Sequence, residues 1–167
     1  MTMNNVKIMT ALCLLSGVTV AEDVPIVGTV QSRCTIQTDT AGIYGNPNAY
    51  TLTTTPADGG VLPIVRYDVS LADAYVAKIT YPTSFSSSPS LNDTVTWTGS
   101  VDVSEVSDAG MANYDADAVT YDQTKEYGLT TAGSTWFKIA STATNGGNKA
   151  FPSGTYRAVV QAECIAQ

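Results

Sequence analysis

The sequence predicts an all-β domain, a β-sandwich of two sheets, on three observations. Short runs rich in β-branched and aromatic residues recur along the chain, turns containing Gly or Pro separate most of them, and no segment shows a convincing 3.6-residue period. Abundant Thr, Ser and Gly with only 14% charged residues is typical of secreted β-proteins. A chain of 167 residues fits one such domain.

The first 21 residues predict a cleavable signal peptide. Lys7 supplies positive charge, Ile8 to Val20 is mostly apolar, and Thr19-Val20-Ala21 provides the small residues that precede a cleavage site. This apolar stretch is too short for the roughly 20 residues that span a bilayer. We therefore expect residues 1–21 to be removed, leaving a secreted domain of residues 22–167 with no membrane span.

Strand-like alternation occurs at both ends of the expected mature domain. Near its start, one face carries Ile26, Val30, Cys34 and Ile36. Near its end, one face carries Tyr156, Ala158, Val160, Ala162 and Cys164. Six further runs predict the internal strands: Tyr50 to Thr54, Ile64 to Leu71, Tyr75 to Tyr81, Thr94 to Val103, Glu126 to Thr130 and Ser134 to Ser141. The weakest region is Ser104 to Asp122, where one helical turn is expected inside a long connection.

Two cysteines, Cys34 and Cys164, remain after the signal peptide and its Cys13 are removed. In an oxidising compartment they are expected to pair and to tie the first strand to the last. Zinc would need more Cys or His ligands, and the chain contains no His. The net charge of −7, which becomes about −8 without Lys7, argues against nucleic acid as a partner.

Catalytic chemistry has little support in the sequence, and we predict that the protein is not an enzyme. Without His there is no ordinary catalytic triad, and no Gly-x-Ser-x-Gly motif is present. Four aspartates lie close together in sequence, and such a group is most simply a solvated loop. Three of them are candidate Ca²⁺ ligands, since calcium prefers several oxygen donors: Asp115, Asp117 and Asp122. No other cofactor is expected.

Two tryptophans, Trp97 and Trp136, permit two interpretations. Trp97 alternates with Val95, Val101 and Val103, and Trp136 is flanked by Phe137 and Ile139. At least one of the two rings is therefore expected to fill the interior, and the interior is the favoured interpretation for each. The alternative is an exposed platform on which a sugar ring stacks, which would make the domain a carbohydrate-binding module.

Two terminal motifs resemble those of chaperone–usher fimbrial subunits, the pilins. Residues 26–36, IVGTVQSRCTI, are similar to the first strand of that family, which reads as Gly, alternating apolar residues and then Cys-Thr-Ile. Residues 151–162, FPSGTYRAVVQA, are similar to its terminal strand, where a Pro-x-Gly-x-Tyr turn leads into alternation.

The resemblance implies an immunoglobulin-like sandwich that lacks its last strand. A groove between the first and last strands would then be filled by a strand from a chaperone and later by one from a neighbouring subunit. The residues flanking this groove would be Ile26, Gly28 and Val30 on one side and Tyr156, Ala158 and Val160 on the other. The implied partners are other subunits, a periplasmic chaperone and an outer-membrane usher, and the implied location is the cell surface.

The sequence leaves two questions open. The segment Val24 to Val30 is either the donor arm that enters a neighbour or the first strand of the sandwich itself. The alternatives to a fimbrial subunit are a secreted carbohydrate- or calcium-dependent binding module or adhesin, and a virion or surface-layer β-protein.

Overall fold

The structure is a computed structural model that describes Val27 and residues 33–167. The expected signal peptide and three of the expected groove residues, Ile26, Gly28 and Val30, lie outside the described residues. The described chain is mostly β, as predicted. Its twelve strands are β1 (Cys34–Thr40), β2 (Gly45–Asn48), β3 (Thr51–Thr53), β4 (Ile64–Val69), β5 (Tyr75–Thr80), β6 (Phe85–Ser87), β7 (Val95–Val106), β8 (Val119–Tyr121), β9 (Thr124–Gly128), β10 (Gly133–Asn145), β11 (Arg157–Ala158) and β12 (Gln161–Ala166).

The larger antiparallel sheet is built around the 13-residue strand β10. One edge of β10 pairs with β7 along most of its length. Its other edge pairs first with β4 and then, further along the chain, with β3. Strand β1 adds to β4 and β2 adds to β3, so β1 and β7 lie on opposite sides of this sheet.

The smaller antiparallel sheet has the order β12-β5-β9-β8. A separate two-stranded ribbon pairs β11 with β6. The edge strands β12 and β8 therefore lie on opposite sides of the smaller sheet, and β12 is joined by a disulfide to β1 of the larger sheet.

The two sheets face each other across one hydrophobic core. Strands β4, β7 and β10 supply one side of it, and β5 and β9 supply the other. The rings of Phe137 and Tyr127 meet in this core with their centroids 4.5 Å apart, and both side chains are fully buried. Burial of large side chains from both sheets is the main source of stability in such a fold. The core residues are Val65, Tyr67, Val69, Ala77, Ile79, Val101, Met111, Tyr114, Tyr127, Leu129, Phe137 and Ile139.

The connection from β7 to β8 contains the expected helical turns. A 3₁₀ turn spans Ala109–Met111 and is followed by the short helix α1 (Tyr114–Asp117). The side chains of Met111 and Tyr114 are buried, so this connection joins the core. The structure thereby confirms the prediction that a helical turn interrupts a long link between strands.

Each of the six predicted internal runs contains a strand, and three short strands were not predicted. Strand β2 includes Pro47, β6 lies within a serine-rich stretch, and β8 is three residues long. In the described part of the chain, the structure has no helix with the length and apolar character that crossing a membrane requires.

Candidate functional site: a seam between the first and last strands

The sulfurs of Cys34 and Cys164 form the predicted disulfide. It joins β1 to β12, the first and last described strands, across 130 positions of sequence. The two Cα atoms lie 6.5 Å apart, and both side chains pack against the core. We call the gap between residues 34–44 on one side and residues 156–166 on the other the seam. The disulfide lies at one end of it.

The two walls of the seam separate beyond the disulfide. The pairing of each wall changes there, for a different reason in each case. In β1 the pairing with β4 slips at Asp39, where one extra residue forms a β-bulge. A bulge bends the strand that carries it. On the other wall, β12 pairs with β5, whereas β11, just before it, pairs with β6. The chain therefore changes partners at Val159 and Val160, and the seam widens there.

Two adjoining clefts occupy the wide end of the seam. They have volumes of about 340 Å³ and about 400 Å³. Both are lined by Gly42 and Tyr44 from one wall and by Arg157 and Ala158 from the other. These clefts are therefore bounded by the chain segments that follow β1 and precede β12.

The floor of the 340 Å³ cleft includes hydroxyl groups held by hydrogen bonds. The backbone N–H of Ser141 donates to Thr54 Oγ1 at 2.9 Å, and Tyr44 Oη lies 3.0 Å from Ser141 Oγ. Burial raises the pKa of Tyr44, so this phenol stays neutral at physiological pH. The floor is therefore uncharged, with small polar groups beside the apolar side chain of Val65.

Apolar side chains at the seam are more exposed than their positions in the fold require. Ile36 pairs with the buried Tyr67 and follows its inward alternation, yet 36% of its surface is accessible. Val159 is 50% exposed, and Ile43 is 58% exposed. Inward-facing side chains on an edge strand are left open when no neighbouring strand covers them.

Three of the residues predicted from sequence to flank a groove, Tyr156, Ala158 and Val160, lie at the seam. Ala158 lines both clefts, and Val160 lines the 340 Å³ cleft. The expectation of one continuous terminal strand was wrong, because the chain divides into β11 and β12 in different sheets. Sequence reasoning missed the opposite wall at residues 38–44. This wall depends on the bulge at Asp39, which is defined by the pairing of β1 with β4.

Trp97 lies in a cluster of aromatic rings near the wide end of the seam. Its ring centroid is 4.7 Å from that of Phe85, which also contacts Tyr44, Phe151 and Tyr156. This placement agrees with the interior interpretation of Trp97. The cluster holds β6 and the turn before β11 together.

Trp136 requires a correction, because its ring does not fill the interior. Its neighbours Thr135 and Phe137 are buried, so alternation along β10 places Trp136 on the outer face of the sheet. There the Arg66 guanidinium lies 5.7 Å from the ring centroid, and the indole N–H donates to Asp39 at 3.3 Å. One face of the ring is thereby occupied by a cation.

The aspartates considered as calcium ligands have separate environments. Both oxygens of Asp115 accept hydrogen bonds, one from the Val103 backbone and the other from Lys125 and Tyr127. Asp117 belongs to α1, and Asp122 lies in the turn between β8 and β9. In residues 33–167 and Val27, no three acidic, Cys or His side chains are arranged to hold a metal ion.

The contacts of Asp115 fasten α1 against the sheets on the side of the domain away from the seam. Lys125 Nζ lies 3.0 Å from Asp115, 3.6 Å from Asp102 and 2.9 Å from the Val101 carbonyl. The Tyr127 hydroxyl donates to the same carbonyl at 2.9 Å. This side of the domain is therefore bridged by the chain's own polar contacts.

We expect Tyr127→Phe to lower the free energy of unfolding by about 1 kcal/mol at pH 7. The loss is modest because Lys125 still bonds to both acceptors of the lost hydroxyl. Burial, and then the charge of Asp115, raise the pKa of Tyr127. The stabilisation from the neutral phenol is thus present below pH about 10 and is lost as the unfolded chain ionises above it.

Urea unfolding at pH 7 and pH 11 measures both effects, and the gap between wild type and Tyr127→Phe should shrink at pH 11. The matched control is Tyr121→Phe, whose hydroxyl bonds to Glu126 on the exposed surface. We expect this control to change stability by less than about 0.5 kcal/mol. Equal losses for the two variants would show that the Tyr127 contacts do not matter.

No protein-family model matches this chain, and no match is found among curated proteins or solved structures. The seam and its two clefts are therefore the features from which a function is inferred.

Proposed function

We propose that this protein is a secreted structural subunit of a cell-surface filament, a fimbria, that assembles by donor-strand exchange. The domain would be an immunoglobulin-like sandwich that lacks one strand. Residues 24–30 of one copy would enter the seam of the next copy and supply it. The observation that carries this proposal is the pair of clefts between residues 38–44 and the segment that precedes β12.

The chemistry of the seam favours a peptide strand as its occupant. An edge strand presents backbone N–H and C=O groups without a partner on one side, and an added strand satisfies them. The exposed side chains of Ile43 and Val159, which line the clefts, offer apolar surface to the side chains of such a strand. The floor around Ser141 is uncharged, and Arg157 is the one charged residue among those that line the two clefts.

The sequence before β1 has the pattern of a donor strand. In an extended conformation residues 24–30 would span about 23 Å at 3.3 Å per residue, with Ile26, Gly28 and Val30 on one face and Val27 and Thr29 on the other. The proposal takes residues 24–30 as the donor arm, because a segment that fills the seam of another copy cannot also be the first strand of its own sandwich.

The remaining parts of the proposal follow from the resemblance of the terminal motifs to fimbrial subunits. The chain would be exported by its signal peptide, held by a periplasmic chaperone and passed to an outer-membrane usher. Its partners in the filament would be copies of itself or related subunits. The protein would perform no catalysis and need no cofactor.

Electron microscopy of mature protein, residues 22–167, tests the proposal with a matched pair of donor variants. We expect Ile26→Asp to abolish filaments, because it places a charge on the face that enters the seam. Thr29→Asp lies on the other face of the same segment and should leave filaments intact. Filaments that survive Ile26→Asp would contradict the assignment of residues 24–30 as the donor.

A mixing experiment separates the donor from the acceptor. Ala158→Asp puts a charge into both clefts and should block the acceptor side, whereas Val119→Asp, at an exposed position on β8, should not. Alone, Ile26→Asp and Ala158→Asp should each remain monomeric. Mixed, they should form a dimer with a single junction, because one protein keeps its donor and the other keeps its acceptor. A mixture that stays monomeric would contradict donor-strand exchange.

A further inference from the structure

The disulfide closes one end of the seam to any inserted strand. A strand that pairs on both sides needs its neighbours about 9.6 Å apart, twice the spacing of adjacent strands. The Cα atoms of Cys34 and Cys164 are only 6.5 Å apart. No backbone can therefore lie between β1 and β12 at this point.

A second contact reinforces the closed end. The Tyr67 hydroxyl, which comes from β4 of the larger sheet, donates to the backbone carbonyl of Glu163 in β12 at 3.0 Å. Tyr67 is fully buried, so this bond ties the two sheets together beneath the disulfide. The larger sheet and β12 are thus held together by one covalent link and one buried hydrogen bond at the same end of the seam.

The clefts lie where the pairing of both walls changes. The first wall has its bulge at Asp39, and the second changes its pairing partner at Val159 and Val160. The two clefts have their first-wall residues between Thr38 and Tyr44, a run of seven positions. Residues 24–30 are also seven positions, so the donor arm has as many residues as this wall.

We propose that the Cys34–Cys164 disulfide is an end-stop that fixes how far an incoming strand enters the seam. This inference rests on the proposed function and assigns a task to the crosslink beyond stability. The strand of a second copy pairs along the wide end and halts at the disulfide. Its register is thereby set, and a slip by one residue would turn its apolar side chains to the opposite face.

Peptide binding to an assembly-defective protein tests the end-stop. The acceptor is oxidised mature protein carrying Ile26→Asp, and the probes are synthetic peptides of residues 24–30, alone or extended at either end by four alternating Val and Thr residues. We expect the oxidised protein to bind all of these peptides with affinities within about threefold of one another, since extra residues find no backbone partners. Hydrogen exchange should show bound peptide protecting amides between residues 38 and 44 and leaving those of 35–37 unchanged.

For protein that also carries Cys34→Ala and Cys164→Ala, we expect the opposite result in the same measurements: the length of the peptide should change its affinity. With the link removed, β1 and β12 can separate, and one of the two extensions should raise affinity by about tenfold or more through new ladder hydrogen bonds. Protection should then spread to residues 35–37. If this variant does not fold, the oxidised protein alone decides the question by its exchange pattern.

The outcomes separate the two proposals. Binding of residues 24–30 with protection of 35–37 in the oxidised protein would overturn the end-stop and leave the strand-exchange function in place. A tenfold gain in the affinity of an extended peptide for the oxidised protein would also overturn the end-stop and leave the strand-exchange function in place. Failure of every peptide to bind would overturn the proposed function, and the end-stop with it.

Discussion

Replacing both Cys34 and Cys164 with alanine is expected to lower the free energy of unfolding by about 4 to 5 kcal/mol. The bond links positions 130 residues apart, so its loss frees a very long loop in the unfolded chain. A domain of this size has about 5 to 15 kcal/mol of stability in total. The doubly substituted protein should therefore be close to the limit at which it remains folded at 37 °C.

Urea unfolding with and without reductant measures this effect. Wild type should lose stability when reduced, whereas the double alanine variant should not respond to reductant. Substituting both cysteines avoids a free thiol that could form mixed disulfides. A loss below about 1 kcal/mol would mean that strain in the native bond cancels its effect on the unfolded chain.

Local chemistry was sufficient to predict the fold class and the crosslink. Cys34 and Cys164 were the two cysteines left after the expected signal peptide, and alternation placed both on the inward faces of strands. The internal strands were predicted because runs rich in β-branched and aromatic residues, such as Ile64 to Leu71, are separated by turns containing Gly or Pro. Such signals depend only on neighbours in sequence, so they can be recognised without the fold.

The shape of the seam could not be predicted, because it depends on pairing between distant residues. The bulge at Asp39 is defined only by the register of β1 against β4. The division of the last strand follows from β6, whose Phe85 lies in a run of serines that reads as a loop. Trp136 was assigned to the interior because it neighbours Phe137 and Ile139, although alternation places adjacent residues on opposite faces.

The two sides of the domain differ in how the sheets are joined. Away from the seam, the link from β7 to β8 crosses between the sheets and is fastened by Asp115 and Lys125. At the seam, the disulfide joins the sheets at one end and the clefts separate the walls at the other. In the proposed strand exchange, a partner strand would therefore approach the domain from the seam side.

The stability of the domain must come from the part of the core that the seam does not reach. Phe137 lies at the centre of this part of the core. Its ring is fully buried and meets Tyr67 at 5.4 Å and Tyr127 at 4.5 Å between centroids. Phe137→Ala should lower the free energy of unfolding by about 3 to 5 kcal/mol, because it leaves a cavity between the sheets. Urea unfolding followed by tyrosine and tryptophan fluorescence measures this loss.

Phe137→Leu and Val119→Ala are the controls for this prediction. Leucine refills most of the space and should recover more than half of the loss, whereas Val119, which is 60% exposed, should change stability by less than about 0.5 kcal/mol when truncated. Peptide binding at the seam should persist in Phe137→Leu, since its altered side chain is not among those lining the clefts. A loss for Phe137→Ala no larger than that for Val119→Ala would mean that the two sheets do not share the core described above.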